Sequence, residues 1–214
     1  AYPAFSGTAL AVLIVRLFNL SLGVVTLWAV YNSARLLAPK RPAVALLAAG
    51  LTAFNPMFIF IMASVNNDNL VIALNSVAIW YTLRMLHEGF DTRRSLAIAA
   101  LIALATLSKL SGLVLVPTVA LVGLWVARRD RDLRGLIVLG LAMVIAWGAL
   151  ASWWYLRNLM LYGELFGTAT MVAVAGPRLE PFTWLTFFEE FQGFRIAYWG
   201  LFGAVNVQTV PPFY

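Results

Sequence analysis

The sequence predicts an all-α polytopic membrane protein: a bundle of about six transmembrane helices with an extracytoplasmic interfacial helix. Three observations carry this. Hydrophobic residues make up 62% of the chain and charged residues 11%, with a mean hydropathy of +0.86, where soluble domains carry about 25% charge. The apolar residues fall in runs long enough to cross a hydrocarbon core of about 30 Å. Basic residues punctuate the ends of those runs, so the net charge of +6 reads as a topology signal and not as a nucleic-acid surface.

With no cysteine there is no disulfide framework, thiol nucleophile or thiolate metal site. His87 reads as an interfacial residue, because a zinc site needs several ligands. No signal-peptide pattern precedes the first span. A start at Ala1 and an end at Pro211-Pro212-Phe213-Tyr214 suggest an internal piece of a longer protein.

Residues 1–16 are an apolar lead-in of undecided status. Residues 17–37 form the first span, closed by Arg35, Lys40 and Arg41 among the breakers Pro39 and Pro42. The second, 43–63, carries Pro56 and should kink or split there. A polar turn, Asn66-Asn67-Asp68-Asn69, leads into a third span over 70–86. A fourth helix covers 95–108, Lys109 follows, and a fifth covers 113–127. The sixth runs from 135 to about 154 and ends in Trp153-Trp154-Tyr155, an aromatic cluster of the kind found at headgroup level. Residues 1–158 thus form the bundle, and 159–214 form an extracytoplasmic loop region. Within that region Trp184, Phe187, Phe188 and Phe191 make one helical stripe, with Glu189 and Glu190 on the solvated face. Such a helix lies in the interface plane.

Alternating spans place Arg35, Lys40, Arg41, Arg84, Arg93, Arg94, Arg128, Arg129, Arg131 and Arg134 on one side. Arg16, Lys109, Arg157, Arg178 and Arg195 fall on the other, ten against five of the 15 basic residues. The positive-inside rule makes the first side cytoplasmic. Asp68, Lys109, Arg157 and Asn158 then share the opposite face.

Asp68 is the first acidic residue of the chain. A carboxylate wedged between two membrane-length apolar runs is costly unless paired, and so marks a functional site. A helix N-cap also explains it, but one cap needs one residue and here three candidates precede Asn69. Lys109 follows a short helix and should sit below the outer surface. It serves either as a snorkelling lysine or as a point charge for a phosphate. Helix N-termini near Asn69 and Ser111 would add their positive ends to the same recess. Asn75, two turns from Asp68 on the same face, reads as an interhelical hydrogen-bonding residue. Interfacial anchoring explains Arg157 as well as ligand binding does.

Four segments in series carry a family resemblance: FNPMFIFIMASVNNDNL from Phe54, LATLSKLSGLVLVP from Leu104, WWYLRNLMLYGELFG from Trp153 and YWGLFGAVNV from Tyr198. Their order resembles the core of the C-type membrane glycosyltransferases, which include the protein O-mannosyltransferases and the bacterial lipid A aminoarabinose transferases. The resemblance implies transfer of a sugar from a polyprenyl-phosphate carrier on the outer leaflet of the inner (plasma) membrane. In that family one acid of the first external loop is the general base on the acceptor, and a second acid lies in the next external loop. Asp68, within Asn66-Asn67-Asp68, matches the second. Lys109 resembles the lysine beside the carrier phosphate, and Arg157-Asn158 stands where the family's cavity-lining motif lies. One departure is serious: residues 1–67 contain no Asp or Glu. The first acid lies upstream of Ala1, or it has been lost.

The leading expectation is therefore a glycosyltransferase with Asp68 catalytic and Asn66, Asn67, Lys109, Arg157 and Asn158 binding substrate. Lys109 and Arg157 would stabilise the leaving lipid phosphate. Asp68 would orient the acceptor or hold Mg or Mn, the metals that suit oxygen ligands. The rival is a non-catalytic membrane subunit of a larger complex. A transporter ranks last, because the internal repeat common among transporters is not visible.

Overall fold

The computed structural model describes residues 7–177, 183–203 and 207–208. Arg178 and the proline-rich end at 211–214 lie outside them, as does the side chain of Glu189. The architecture is all-α apart from one small hairpin.

The first helix, α1 (Gly7–Leu37), is 31 residues long, roughly 46 Å at 1.5 Å per residue. It takes in most of the undecided lead-in, because no proline interrupts it. Its buried residues are Asn19, Gly23, Thr26 and Ala29. This narrow stripe of small and polar groups lets neighbouring helices approach closely. At Gly23 an added Cβ would lie 3.2 Å from Met62 Cγ.

The expected second span is two helices, α2 (Pro42–Ala53) and α3 (Pro56–Ala63), bent by 61°. Pro56 has no N–H to continue the ladder. Asn55 caps the restart, its Oδ1 accepting from Phe58 N at 2.9 Å.

Next comes α4 (Asp68–Glu88), which starts at Asp68, one residue before the expected Asn69. It is followed by α5 (Thr92–Ser108), whose N-cap carboxylate Asp91 accepts from Arg94 N at 2.9 Å. A 3-10 turn, Leu110–Val114, leads into α6 (Leu115–Asp130). The sixth span, α7 (Leu133–Leu150), stops at Leu150 and not near Trp154. The chain breaks helical register at Ala151, so Trp153 and Trp154 ride on a separate helix, α8 (Ser152–Tyr162). Then follow α9 (Thr168–Ala175), α10 (Trp184–Gly200) and the antiparallel strands β1 (Leu201–Phe202) and β2 (Val207–Gln208).

By length and composition α1, α4, the continuous stretch Leu110–Asp130 and α7 can cross a membrane, and the bent α2–α3 pair makes a fifth if it counts as one span. About six were expected, and α5 is the difference. With 17 residues it reaches roughly 26 Å, short of the hydrocarbon thickness. Its neighbours α4 and α7 enclose it, so its length is matched to protein and not to lipid. Ile98 and Ile102 of α5 join Ala78, Met85, Leu115, Val119 and Leu139 in the central core.

Packing direction follows from the contacts at each end. At one end Arg84 forks onto Glu88 (3.0 and 2.9 Å), and Arg94 also pairs with Glu88. Arg94 further donates to Gly89 O at 2.8 Å, capping α4 with a buried guanidinium. Arg129 reaches Leu86 O from α6. Asp68 and Lys109 meet at the opposite end of α4 and α5. The contacts at the two ends therefore make α4 and α5 antiparallel.

The aromatic stripe of α10 is exposed at Trp184, Phe187, Phe188 and Phe191, and Phe194 and Leu185 extend it. This helix is held near its C-terminal end, where Tyr198 O accepts from Asn55 Nδ2 at 3.3 Å. Phe202 of β1 packs edge-on against Phe60 of α3.

Gly112 is the tightest backbone crossing among the described residues. A Cβ there would lie 2.5 Å from Ala105 C and 2.7 Å from Thr106 N. Backbone cannot yield as a side chain can. We expect Gly112→Ala to destabilise the protein by about 1–3 kcal/mol, read as a lowered melting temperature in detergent.

Candidate functional site at the Asn66–Lys109 end

The site begins where α3 stops. Ser64 takes extended backbone angles and ends the helix. Its carbonyl accepts from Asn19 Nδ2 of α1 at 2.6 Å and from Asn69 Nδ2 of α4 at 3.1 Å. Its hydroxyl donates to Ile61 O at 2.8 Å and accepts from Asn66 Nδ2 at 2.6 Å. Asn66 Oδ1 in turn accepts from Asn69 N at 3.3 Å. Capping is therefore the work of Asn66. Asn67 precedes the helix without a side-chain capping bond.

Asn67 does something else. Its Nδ2 donates to Ser108 O at 2.9 Å, and Ser108 Oγ donates back to Asn67 O at 3.2 Å. This reciprocal clasp joins the residue before Asp68 to the residue before Lys109. The next pair along is the ion pair itself, with Lys109 Nζ donating to Asp68 Oδ1. Their side chains keep 43% and 31% exposure, so an incoming molecule can reach both. Lys109 sits in extended conformation between α5 and the 3-10 turn, its N–H bonded to Ala105 O at 2.9 Å.

The pair is recessed relative to α1. Asn19 is bonded at the level of Ser64, and α1 continues from there to Gly7, roughly 18 Å at 1.5 Å per residue.

Aromatic packing builds the neighbouring wall. Tyr155 of α8 is buried and donates to Thr106 O at 2.7 Å, one turn before Lys109. Its ring stacks on Trp147 (centroids 5.2 Å) and meets Phe166 edge-on at 5.6 Å. Leu110, Ser111, Leu113, Val114 and Phe166 line an open groove of about 540 Å³. Leu113 also lines a second, almost wholly apolar groove of about 300 Å³, between Ala103, Val116, Met143 and Trp147.

The remaining expected site residues are placed differently. Asn158 is buried and donates to Leu165 O at 3.3 Å, holding the loop that carries Phe166. Arg157 is exposed, with its guanidinium 5.1 Å from the Trp154 ring centroid. The interhelical bond expected of Asn75 is not made by its Oδ1, which is buried without a partner. Asn69, fully buried, leaves its own Oδ1 in the same state.

A divalent metal is poorly served by this donor set. The described residues bring together no three Asp, Glu, His or Cys groups, and a lysine ammonium already holds Asp68.

Sequence reasoning missed Ser108, Asn19, Tyr155 and Gly112. Asn19 and Ser108 each had a signal, a hydrogen-bonding side chain in an apolar run. Their partners are 45 and 41 residues away.

Residues 8–156 match the family of the dolichyl-phosphate-mannose-protein mannosyltransferases. Asn66, Asn67, Asp68 and Lys109 lie within the match; Arg157 and Asn158 fall just beyond it. No curated protein and no solved structure matches the chain.

Two outcomes follow from this geometry. Removing either side of the clasp, by Asn67→Ala or Ser108→Ala, should cost about 0.5–1.5 kcal/mol. Because the two share one network, the double variant should cost less than the sum of the singles; a thermal-unfolding cycle checks it. The second concerns Glu164, whose carboxylate accepts from Ala169 N (2.9 Å) and Thr170 N (3.0 Å) at the start of α9. Those N–H groups hold it below the ordinary carboxylate range. A depressed pKa stabilises above the unfolded-state value and is lost as pH falls through the folded one. The α9 amides should therefore exchange faster in acid, after correction for intrinsic rates, and Glu164→Gln should show the faster exchange already at neutral pH.

Proposed function

This chain belongs to the dolichyl-phosphate-mannose-protein mannosyltransferase family, membrane glycosyltransferases of the C type, and from that premise we propose that it binds a polyprenyl-phosphate sugar at Lys109. The observation that carries the reading is the partly exposed ion pair between Lys109 and Asp68; the residue after Lys109, Leu110, lines an apolar groove. A lipid-linked sugar phosphate needs a cation for its phosphate and a greasy track for its chain. Lys109 supplies the first, and the two apolar grooves that share Leu113 support the second.

In the proposed reaction the bond from the sugar's anomeric carbon to the phosphate oxygen breaks, and its electron pair stays on that oxygen. The acceptor oxygen forms the new bond to the anomeric carbon. Charge accumulates on the departing phosphate, and an ammonium placed there beforehand stabilises it. Lys109 has this role; Arg157, on the helix that Tyr155 docks beside Thr106, is placed at the same end of the bundle. Asp68 orients the acceptor hydroxyl. The base that takes the acceptor proton comes from outside residues 1–67, which hold no carboxylate.

We place the site on the extracytoplasmic face of the inner membrane. The gathering of Arg84, Arg94 and Arg129 at the opposite end supports this sidedness. On the same face α10 lies along the membrane surface with its aromatic side chains in the headgroup region. The missing acid favours a second reading, a non-catalytic subunit that keeps the scaffold within a larger membrane complex.

The two readings part in one experiment. Lys109→Ala and Asp68→Asn are made in the full-length protein, and transfer from a lipid-phosphate sugar is assayed. Loss of Lys109 should lower turnover about 100-fold, in the range for removing a donor to a developing anion, and Asp68→Asn should lower it too. Unaltered turnover in both leaves the subunit reading standing.

A further inference from the structure

We propose that Asp68 and the carrier phosphate compete for the Lys109 ammonium, so that the ion pair is a latch opened by the phosphate. This rests on the carrier reading above and goes beyond it by giving Asp68 a negative role in donor binding.

The two ends of the latch differ in mobility. Asp68 is a short side chain in the first turn of α4, and the Asn67–Ser108 clasp holds the backbone on both sides of the contact. Lys109 carries its charge on a flexible four-carbon stem with three rotatable donors. The lysine is therefore the partner that swings. Both side chains are partly exposed, and pairs of that kind are weak because water screens them. A phosphate with several acceptor oxygens can replace a single carboxylate there.

Asp68 does not need Lys109 to stay in place. A carboxylate in the first turn of a helix is favoured by the helix dipole, and the α4 start is pinned through Asn66 and Asn67. While both anions face the same ammonium they repel one another. Once the lysine turns to the phosphate, the oxygens of Asp68 are free to accept a hydrogen bond from an acceptor hydroxyl. Acceptor recognition then follows carrier binding and does not precede it.

This inverts the expectation for a substitution at an active-site acid. The probe is a polyprenyl phosphate in neutral-lipid vesicles holding the full-length protein, with the uncharged polyprenol as control. Asp68→Asn should bind the phosphate about twofold to fivefold more tightly than wild type, the range of an exposed ion pair, and the polyprenol equally. Asp68→Ser gives the same comparison should the Asn variant fail to fold, with melting temperature as the check. Unchanged or weaker phosphate binding in the folded variant overturns the latch, since Asp68 would then be assisting the anion, as it would through a bridging cation. Wild-type binding in Lys109→Ala overturns the carrier reading itself, a different failure from loss of the latch.

Discussion

Every break in a helix that runs through apolar surroundings frees backbone groups that water is not there to satisfy. At three of the breaks among the described residues, side chains take up freed backbone groups. Asn55 caps α3 after Pro56. Ser64 O is claimed by Asn19 and Asn69 where α3 stops. Asn67 and Ser108 bond each other's carbonyls where α4 starts and α5 ends. The polar residues of the site are first of all the solution to that problem.

The placement of charge follows from it. A carboxylate and an ammonium on two different helices meet because the residues just before them are tied, backbone to side chain, in both directions. Neither charge has to be buried to be positioned, so neither carries the heavy desolvation cost of a buried ion. What results is a partly exposed pair of a carboxylate and an ammonium, with apolar grooves lined by Leu110 and Leu113 farther along the chain. That combination suits an amphipathic anion better than a wholly polar or wholly apolar ligand.

The short helix α5 makes the arrangement rigid. It is enclosed by α4 and α7, and its two ends are fastened differently. Arg94, buried, caps α4 from one end. Thr106, near the other, receives Tyr155. Gly112 then lets the 3-10 turn lie directly against Ala105 and Thr106. Lys109 is therefore held by its backbone on both sides while its ammonium reaches Asp68.

Read alone, the order of residues determined the class of fold, the break at Pro56, a polar interruption ahead of α4 and the singling out of Asp68 and Lys109. All of these are local signals: hydropathy over one helix length, a proline without an N–H, charge in an apolar run. Tertiary structure decided the rest. It extended α1 to Gly7, ended α7 at Leu150, and packed the short α5 between α4 and α7. It turned Asn66, Asn67 and Asn158 to holding the backbone at Asn69, Ser108 and Leu165. The Asn67–Ser108 partnership could not be read in advance, because a hydrogen bond spanning 41 residues of chain depends on how helices pack, and packing is set by side-chain volumes on several helices at once.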